Sequence, residues 1–320
     1  SHAQIDDLSD EANDGHTAHE LFEHLKDEDC VCWSHCGGRY ANITFAHDGR
    51  LETAVEVHSS WGTFEWLLHD AFSKDYRVGV VCNSDGHKGR VGASFPGASF
   101  FGAYGGLTCY LAPELTRDAI FEAMRRRHHY GTTGTRMYLD VKATPASGAK
   151  LFIKDPSVVS DAPWQSESSL IMGDIARVSD DEVEFTVDVT GSASIERIDL
   201  FDGLDHLETY RPYTEQELGR AIRLTFSGAE YRGRSRTTVW DGNLTVMGNE
   251  VRSYFGIVNN WNLDRGVQDQ SATGMSWKAV TSGNYCCIDL HLKEPDAGRL
   301  TIETPHVTAS VDIADIGLDE

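Results

Sequence analysis

The apolar positions change their period once along this chain. Before about residue 142 they switch between helical and strand spacing. Ala18, Leu21, Phe22 and Leu25 recur at steps of three and four, which predicts a helix. Phe64, Leu67, Leu68, Ala71 and Phe72 form a stripe at i, i+3, i+4, i+7 and i+8, the pattern of a helix lying on a sheet. Around them lie β-like runs at 30–35, 53–58, a Val-rich 77–83, and 107–111. Thr116 is placed to cap a third helix, with Asp118 near its positive end and the basic run 125–129 at its negative end. That basic run reads as a solvated, dipole-matched terminus. Residues 136–141 alternate as a strand.

Beyond residue 142 the helical period fades. Short runs at 195–201, 221–226, 236–240, 243–246, 253–257 and 285–292 recur, and Asp202-Gly203 and Asp241-Gly242 are hairpin-turn dipeptides. Pro145, Gly148, Pro156 and Pro163 punctuate the join. The expectation is an α/β domain over 1–141 and an antiparallel β-sandwich over 142–320.

Composition narrows the partners. Fifty acidic residues against 28 basic ones give a net charge of −22 over 320 residues, so nonspecific binding to nucleic acid or to an anionic membrane is not expected. No apolar run approaches the ~20 residues of a membrane span. Seven scattered cysteines, an odd number, disfavour a disulfide framework. A reducing, cytoplasmic setting is the expectation. The Cys30, Cys32 and Cys36 group lacks the two-residue turn of a zinc knuckle.

Histidine is unevenly placed, with eleven of the 14 before residue 130. Strand parity explains why that matters. Val31, Trp33 and His35 share one face of the first run; Glu56 and His58 share a face of the second. Val81, Asn83 and Asp85 share a face of the third, and His87 continues it if the chain stays extended. Three successive strands thus carry imidazoles and carboxylates toward their carboxyl ends, where parallel α/β folds build active sites. Such side chains suit a catalytic divalent cation. Singly, each is equally read as a polar residue at a surface. The glycine- and phenylalanine-rich stretch 89–106 directly follows His87 and has the length of a lid or substrate-binding segment.

At these residues a family resemblance emerges. Trp33-Ser34-His35-Cys36-Gly37-Gly38, Val55-Glu56-Val57-His58-Ser59-Ser60-Trp61-Gly62 and Asn83-Ser84-Asp85-Gly86-His87-Lys88-Gly89-Arg90 resemble successive motifs of the polymerase and histidinol phosphatase (PHP) superfamily. Gly105-Gly106-Leu107-Thr108, Tyr130-Gly131-Thr132-Thr133-Gly134, Arg232-Gly233-Arg234 and Trp240-Asp241-Gly242 are similar to one uncharacterised branch, domain-of-unknown-function family 3604. The resemblance implies a distorted (β/α) barrel with divalent metals at its strand ends, and phosphoester hydrolysis. It implies His35, Asp85 and His87 as metal ligands, with Cys36 where relatives carry proline. The family's opening His-x-His motif has no counterpart here, and 141 residues are too few to close an eight-stranded barrel. The expected fold is therefore the C-terminal portion of a PHP-type barrel followed by a sandwich. The chain is then expected to be a fragment, a processed piece, a truncated chain or one half of a split protein, with a missing N-terminal half or second chain completing the barrel.

The functional expectation is a metal-dependent hydrolase acting on a small anionic substrate such as a phosphoester. Zinc, manganese, iron or magnesium at His35, Asp85 and His87 lowers the pKa of bound water. Glu56 or His58 orients that water or relays its proton, and Arg90 holds the anion. The alternative is a non-catalytic binding or assembly protein whose sandwich recognises a glycan or protein partner through Trp164, Trp240, Trp261 and Trp277.

Overall fold

A computed structural model describes residues 15–35, 41–87, 103–179, 182–232, 236–257 and 265–318. Helix α1 (Ala18–His24) opens the described chain, closed at its start by a capping box between Thr17 and Glu20. Strands β1 (Cys32–Ser34), β2 (Glu52–Ser59), β3 (Gly62–Thr63) and β4 (Gly79–Cys82) form one sheet. In it β1 and β4 flank β2, both parallel to it, and β3 turns back on its end. All eight residues of β2 are buried. Val55 and Val57 pack with Phe64, Leu67 and Ala71. The last two lie on α2 (Glu65–Phe72), as the apolar stripe requires. Then come β5 (Leu107–Tyr110), α3 (Arg117–Arg125), capped by the Thr116 hydroxyl, and β6 (His129–Thr132), with β5 and β6 antiparallel.

The barrel expectation is corrected here. Among the described residues strand accounts for 44% and helix for 11%, with four α-helices and many small sheets. Among the described residues no sheet closes on itself. The reason is visible after β4: the next two strands pair with each other in antiparallel fashion, so the parallel strand–helix alternation stops after three strands. Four helices of four to nine residues are too few and too short to form an outer ring around a barrel.

The remaining chain is a series of antiparallel pieces. Strands β7 (Tyr138–Pro145), β8 (Ala149–Phe152), β9 (Trp164–Glu167), β10 (Leu170–Ile171), β11 (Ile175–Val178) and β12 (Val183–Thr190) make two three-stranded sheets, β10-β7-β12 and β11-β8-β9. Strand β7 runs through residue 142 without a break. Next, β13 (Ile198–Asp202) and β14 (Asp205–Tyr210) form an isolated hairpin about Gly203. The short helix α4 (Glu215–Leu218) follows.

Then come β15 (Ala221–Ser227), β16 (Thr238–Val239), β17 (Gly242–Met247), β18 (Val251–Ile257), β19 (Gly266–Ser271), β20 (Gly274–Lys278), β21 (Val280–Thr281), β22 (Tyr285–Leu292), β23 (Arg299–Glu303) and β24 (Thr308–Asp312). The sheets β15-β22-β18 and β19-β20-β17-β23-β24 share one core. Leu244, Trp277, Ile288, Leu290 and Leu292 are at most 2% exposed in it, each burial contributing about 1.5–3 kcal/mol. Alternation along β22 sends Cys286 inward and leaves Cys287 half-buried. Asp241-Gly242 is not a hairpin turn, because β16 pairs with β21 and β17 with β20 and β23. Asp241 instead accepts hydrogen bonds from the Ala279 amide and from Arg265.

Candidate functional site

A strand buried along its whole length cannot hydrate its polar side chains, so the carboxylates of β2 must find partners. Glu56 is 1% exposed. One oxygen accepts from Asn83 Nδ2 at 2.9 Å, and the other meets His35 Nδ1. His35 lies just past the end of β1, while Asn83, Asp85 and His87 follow β4. The two strands run parallel to β2, so all three deliver their polar residues to one edge. Asp85 extends the chain of contacts: its Oδ1 lies 2.7 Å from His87 Nε2, and its Oδ2 lies 3.7 Å from His35 Nε2. That Oδ2 is buried and, among the described residues, has no hydrogen-bond partner.

The backbone beneath this cluster is strained. Asp85 and His87 both occupy the left-handed region, with φ of 44° and 45°. For residues with a Cβ this costs roughly 1–2 kcal/mol each. Such strain persists only where the surroundings over-determine it, and it concentrates at functional sites. The Ser60 hydroxyl, donating to the Asp85 carbonyl at 3.3 Å, is one such restraint. The Glu56 hydrogen bond holds the His35 imidazole above its ordinary pKa; burial opposes this, and the charges of Glu56 and Asp85 add to it.

His58 is held elsewhere. It is 2% exposed. Its Nε2 donates to the Tyr104 carbonyl at 2.7 Å, so Nδ1 is left to accept from the Thr63 hydroxyl at 2.8 Å. Burial pulls its pKa down, with the Tyr104 bond and Glu56 opposing. This neutral ring ties β2 to the β3 turn and to the segment before β5. Of the two β2 residues expected to orient water, only Glu56 reaches the cluster. Arg90 and Cys36 lie outside the described residues, as does most of 89–106.

His35 Nε2 and Asp85 Oδ2 are spaced so that one cation could lie within ordinary bond length, ~2.0–2.2 Å, of both. These two donors fit a divalent ion. His87 spends Nε2 on Asp85. Among the described residues no group of three or more His, Cys, Asp or Glu is arranged to hold a metal.

Strand parity placed Asn83 on the right face without assigning it a task; its amide anchors Glu56. A second network lies on the same strand, beyond what parity of the histidines points to: Glu52, 4% exposed, meets the Ser34 hydroxyl and His47 Nδ1, the latter at 2.8 Å. The His47 ring stacks on Tyr76, centroids 4.0 Å apart. Its signal was the acidic residue four positions before Glu56 in the same strand.

Among the described residues the candidate tryptophans offer no common platform. Trp277 is in the core of the paired sheets, and Trp240 is half-buried against it, donating to Thr281. Trp164 is exposed, but Lys150 Nζ sits 4.1 Å from its ring centroid. Trp261 lies outside the described residues.

A family model described as "Protein of unknown function (DUF3604)" matches residues 96–203. That segment, about a third of the chain, starts after the His35–His87 cluster and reaches the β13–β14 turn. No curated protein and no solved structure matches. None of these comparisons links the chain to the PHP superfamily.

Proposed function

We propose that the edge formed by His35, Glu56, Asp85 and His87 is a hydrolytic site for a phosphoester or related small anion, with a divalent cation held by His35 Nε2 and Asp85 Oδ2. The observation that carries this reading is the unpartnered Asp85 Oδ2, buried and 3.7 Å from a histidine nitrogen whose ring is fixed from behind by Glu56. A carboxylate bonded to Nδ1 sets the tautomer and leaves the Nε2 lone pair facing the site, the second-shell arrangement of metal-binding histidines. When bound, the cation would supply water of lowered pKa and neutralise charge on the substrate.

The protein's own contributions follow from the contacts. Glu56 orients His35 and is itself fixed by Asn83. Asp85 holds His87 through Oδ1, and the His87 side chain is 56% exposed, placed to hand a proton to a leaving group. The strained backbone at 85 and 87 fixes both groups before any substrate arrives. A net charge of −22 repels anions at long range. Within a few ångströms, a bound cation would reverse that field.

The test is hydrolysis of bis(p-nitrophenyl) phosphate and p-nitrophenyl phosphate by chelated protein resupplied with Zn²⁺, Mn²⁺, Fe²⁺ or Mg²⁺ in turn. Metal content is measured on the same samples. Cation-dependent turnover that falls at least a hundredfold in Asp85→Asn and tenfold in Glu56→Gln is expected. No turnover with any cation, or turnover unchanged in both variants, would overturn the reading.

A further inference from the structure

The basic run at the end of α3 is not a solvated terminus. His128 pairs with Asp174 at 2.8 Å, His129 is 5% exposed, and the Arg127 side chain is 9% exposed. Arg127 lines a cleft of about 390 Å³ between the amino-terminal edge of β4 and the turn before β11. Arg77, Phe72, Tyr76, His129 and Asp174 are among its other walls.

The guanidinium of Arg127 has five N–H groups. Its Nε donates to the Arg77 carbonyl at 2.6 Å. Its nearest carboxylate oxygen, Asp155 Oδ2, is 4.0 Å from Nη2, beyond hydrogen-bond range. Asp155 is already engaged: its Oδ1 accepts from Arg77 Nη1 at 2.8 Å and from the Ser157 amide and hydroxyl. Asp174, the carboxylate on the cleft wall, is spent on His128, Arg126 and the Ile171 amide. Among the described residues, the terminal nitrogens of Arg127 thus have no hydrogen-bond partner, although the side chain is nine-tenths buried. Two guanidiniums share one nearby carboxylate, which leaves positive charge facing the cleft. A fork of N–H donors left without protein partners and open to a cleft, on a side chain otherwise buried, is the geometry that binds planar or tetrahedral oxyanions.

We infer that this cleft binds the oxyanion group, carboxylate or phosphate, of a small molecule, with Arg127 and Arg77 as the clamp and Phe72 and Tyr76 as walls for its apolar part. The site is separate from the proposed hydrolytic edge. It lies at Gly79, the amino-terminal end of β4, whereas Asp85 follows the carboxyl-terminal end, and four residues of strand alone span on the order of 13 Å. It therefore stands or falls independently of the hydrolase reading.

The experiment is calorimetric titration of the whole chelated chain, at constant ionic strength, with inorganic phosphate and with benzoate. Saturable binding of either ion is expected, phosphate alone indicating a phosphate group and benzoate a carboxylate beside a ring. Affinity should fall at least tenfold in both Arg77→Ala and Arg127→Lys and stay within twofold in Asp85→Asn. Arg77 is half exposed, so its variant keeps the test open if Arg127→Lys fails to fold, as checked by circular dichroism. Absence of binding by both ions, binding that survives Arg77→Ala, or binding abolished by Asp85→Asn would each overturn the inference.

Discussion

Gly283→Ala offers a stringent test of how the parallel sheet is joined to the paired β-sheets. Gly283 has φ of +78°, and a Cβ there would lie 2.0 Å from the Thr63 carbonyl oxygen. Ordinary contact begins near 3.4 Å, so the two backbones would have to part by about 1.4 Å. The joint has little room to give. The Thr63 amide donates to the Ser282 carbonyl at 2.9 Å, the Ser282 hydroxyl to the Trp61 carbonyl at 2.8 Å, and the Gly283 amide to Gly228 at 2.9 Å. Opening the joint forfeits the first two bonds, about 1 kcal/mol each. A left-handed alanine adds roughly 1–2 kcal/mol. The expected loss is about 3–4 kcal/mol. Gly203→Ala is the control, since Gly203 has φ of +58° with nothing within 4 Å of its would-be Cβ. It should cost only the backbone term, about 1–2 kcal/mol. Urea denaturation followed by tryptophan fluorescence compares the two. With a slope of ~2–3 kcal/mol/M, Gly283→Ala should lower the midpoint by about 1–2 M. A Gly283→Ala loss no larger than that of Gly203→Ala would refute the joint. The perturbation should also reach the candidate site, because Ser60 braces Asp85 and Thr63 holds His58.

Glu56→Ala strips both Asn83 Nδ2 and His35 Nδ1 of their buried acceptor and should cost about 3–5 kcal/mol. Glu56→Gln keeps an oxygen for Asn83 and should cost roughly half as much; equal losses in denaturation would contradict the placement. Burial holds the His58 and His129 imidazoles below their ordinary pKa. Below pH 6.5 the unfolded chain therefore binds protons that the folded one does not, and these two rings lose stability as pH falls, while His35, with its raised pKa, works the other way. Asp155 and Asp174 are held below the usual carboxylate value; burial opposes this, but Ser157, Arg77 and Arg127 outweigh it for the first and His128, Ile171 and Arg126 for the second. Their contribution is present above pH 3.8 and lost as pH falls through their lower folded values. His129→Asn should flatten the decline in melting temperature between pH 6.5 and 5, and an unchanged slope would count against a buried neutral ring. Burial pushes the Cys82 thiol up to about 12, whereas Cys109 is exposed. Iodoacetamide at pH 8 should label Cys109 in native protein and Cys82 only after unfolding, as read by peptide mass spectrometry.

Local periodicity placed individual elements well and their assembly poorly. The stripe from Phe64 to Phe72 is α2, Thr116 caps α3, and the runs near 53–58 and 77–83 are β2 and β4. Each of these depends on neighbours within a few residues, where side-chain period and capping act. The barrel did not survive, because closure depends on how many parallel units follow one another, and nothing local near β5 announces that it pairs with β6 rather than with β4. Strands β9, β10 and β11 have only two to four residues, too few to show a period. Strand β12 does alternate, Val183, Phe185, Val187 and Val189 against polar residues, but most of it is exposed, so the apolar face marks no core. The run 125–129 looks like a solvated terminus from its neighbours alone, because the carboxylates it meets, Asp29, Asp155 and Asp174, are distant in the chain.

The candidate site was legible through parity, and the structure separates it from a close imitation. Glu52 and Glu56 sit on one face of the same buried strand, each bonded to a histidine and to one further side chain. By sequence the two are equivalent. Around Glu52 every described contact closes locally: His47 is 7% exposed on its side chain and stacked on Tyr76, and the network has no strained backbone. That pattern stabilises a strand and leaves nothing over. Around Glu56 the contacts end in an unpartnered carboxylate oxygen, two exposed imidazoles and two left-handed residues. A structure held together for stability alone would relax those features, since an unmet buried acceptor costs about 1–3 kcal/mol and each left-handed residue roughly 1–2 kcal/mol. Local rules fail together at the strand ends of β1, β2 and β4, and this coincidence of strain with unmet bonding is why the proposed site is set at that edge rather than at the Glu52 network.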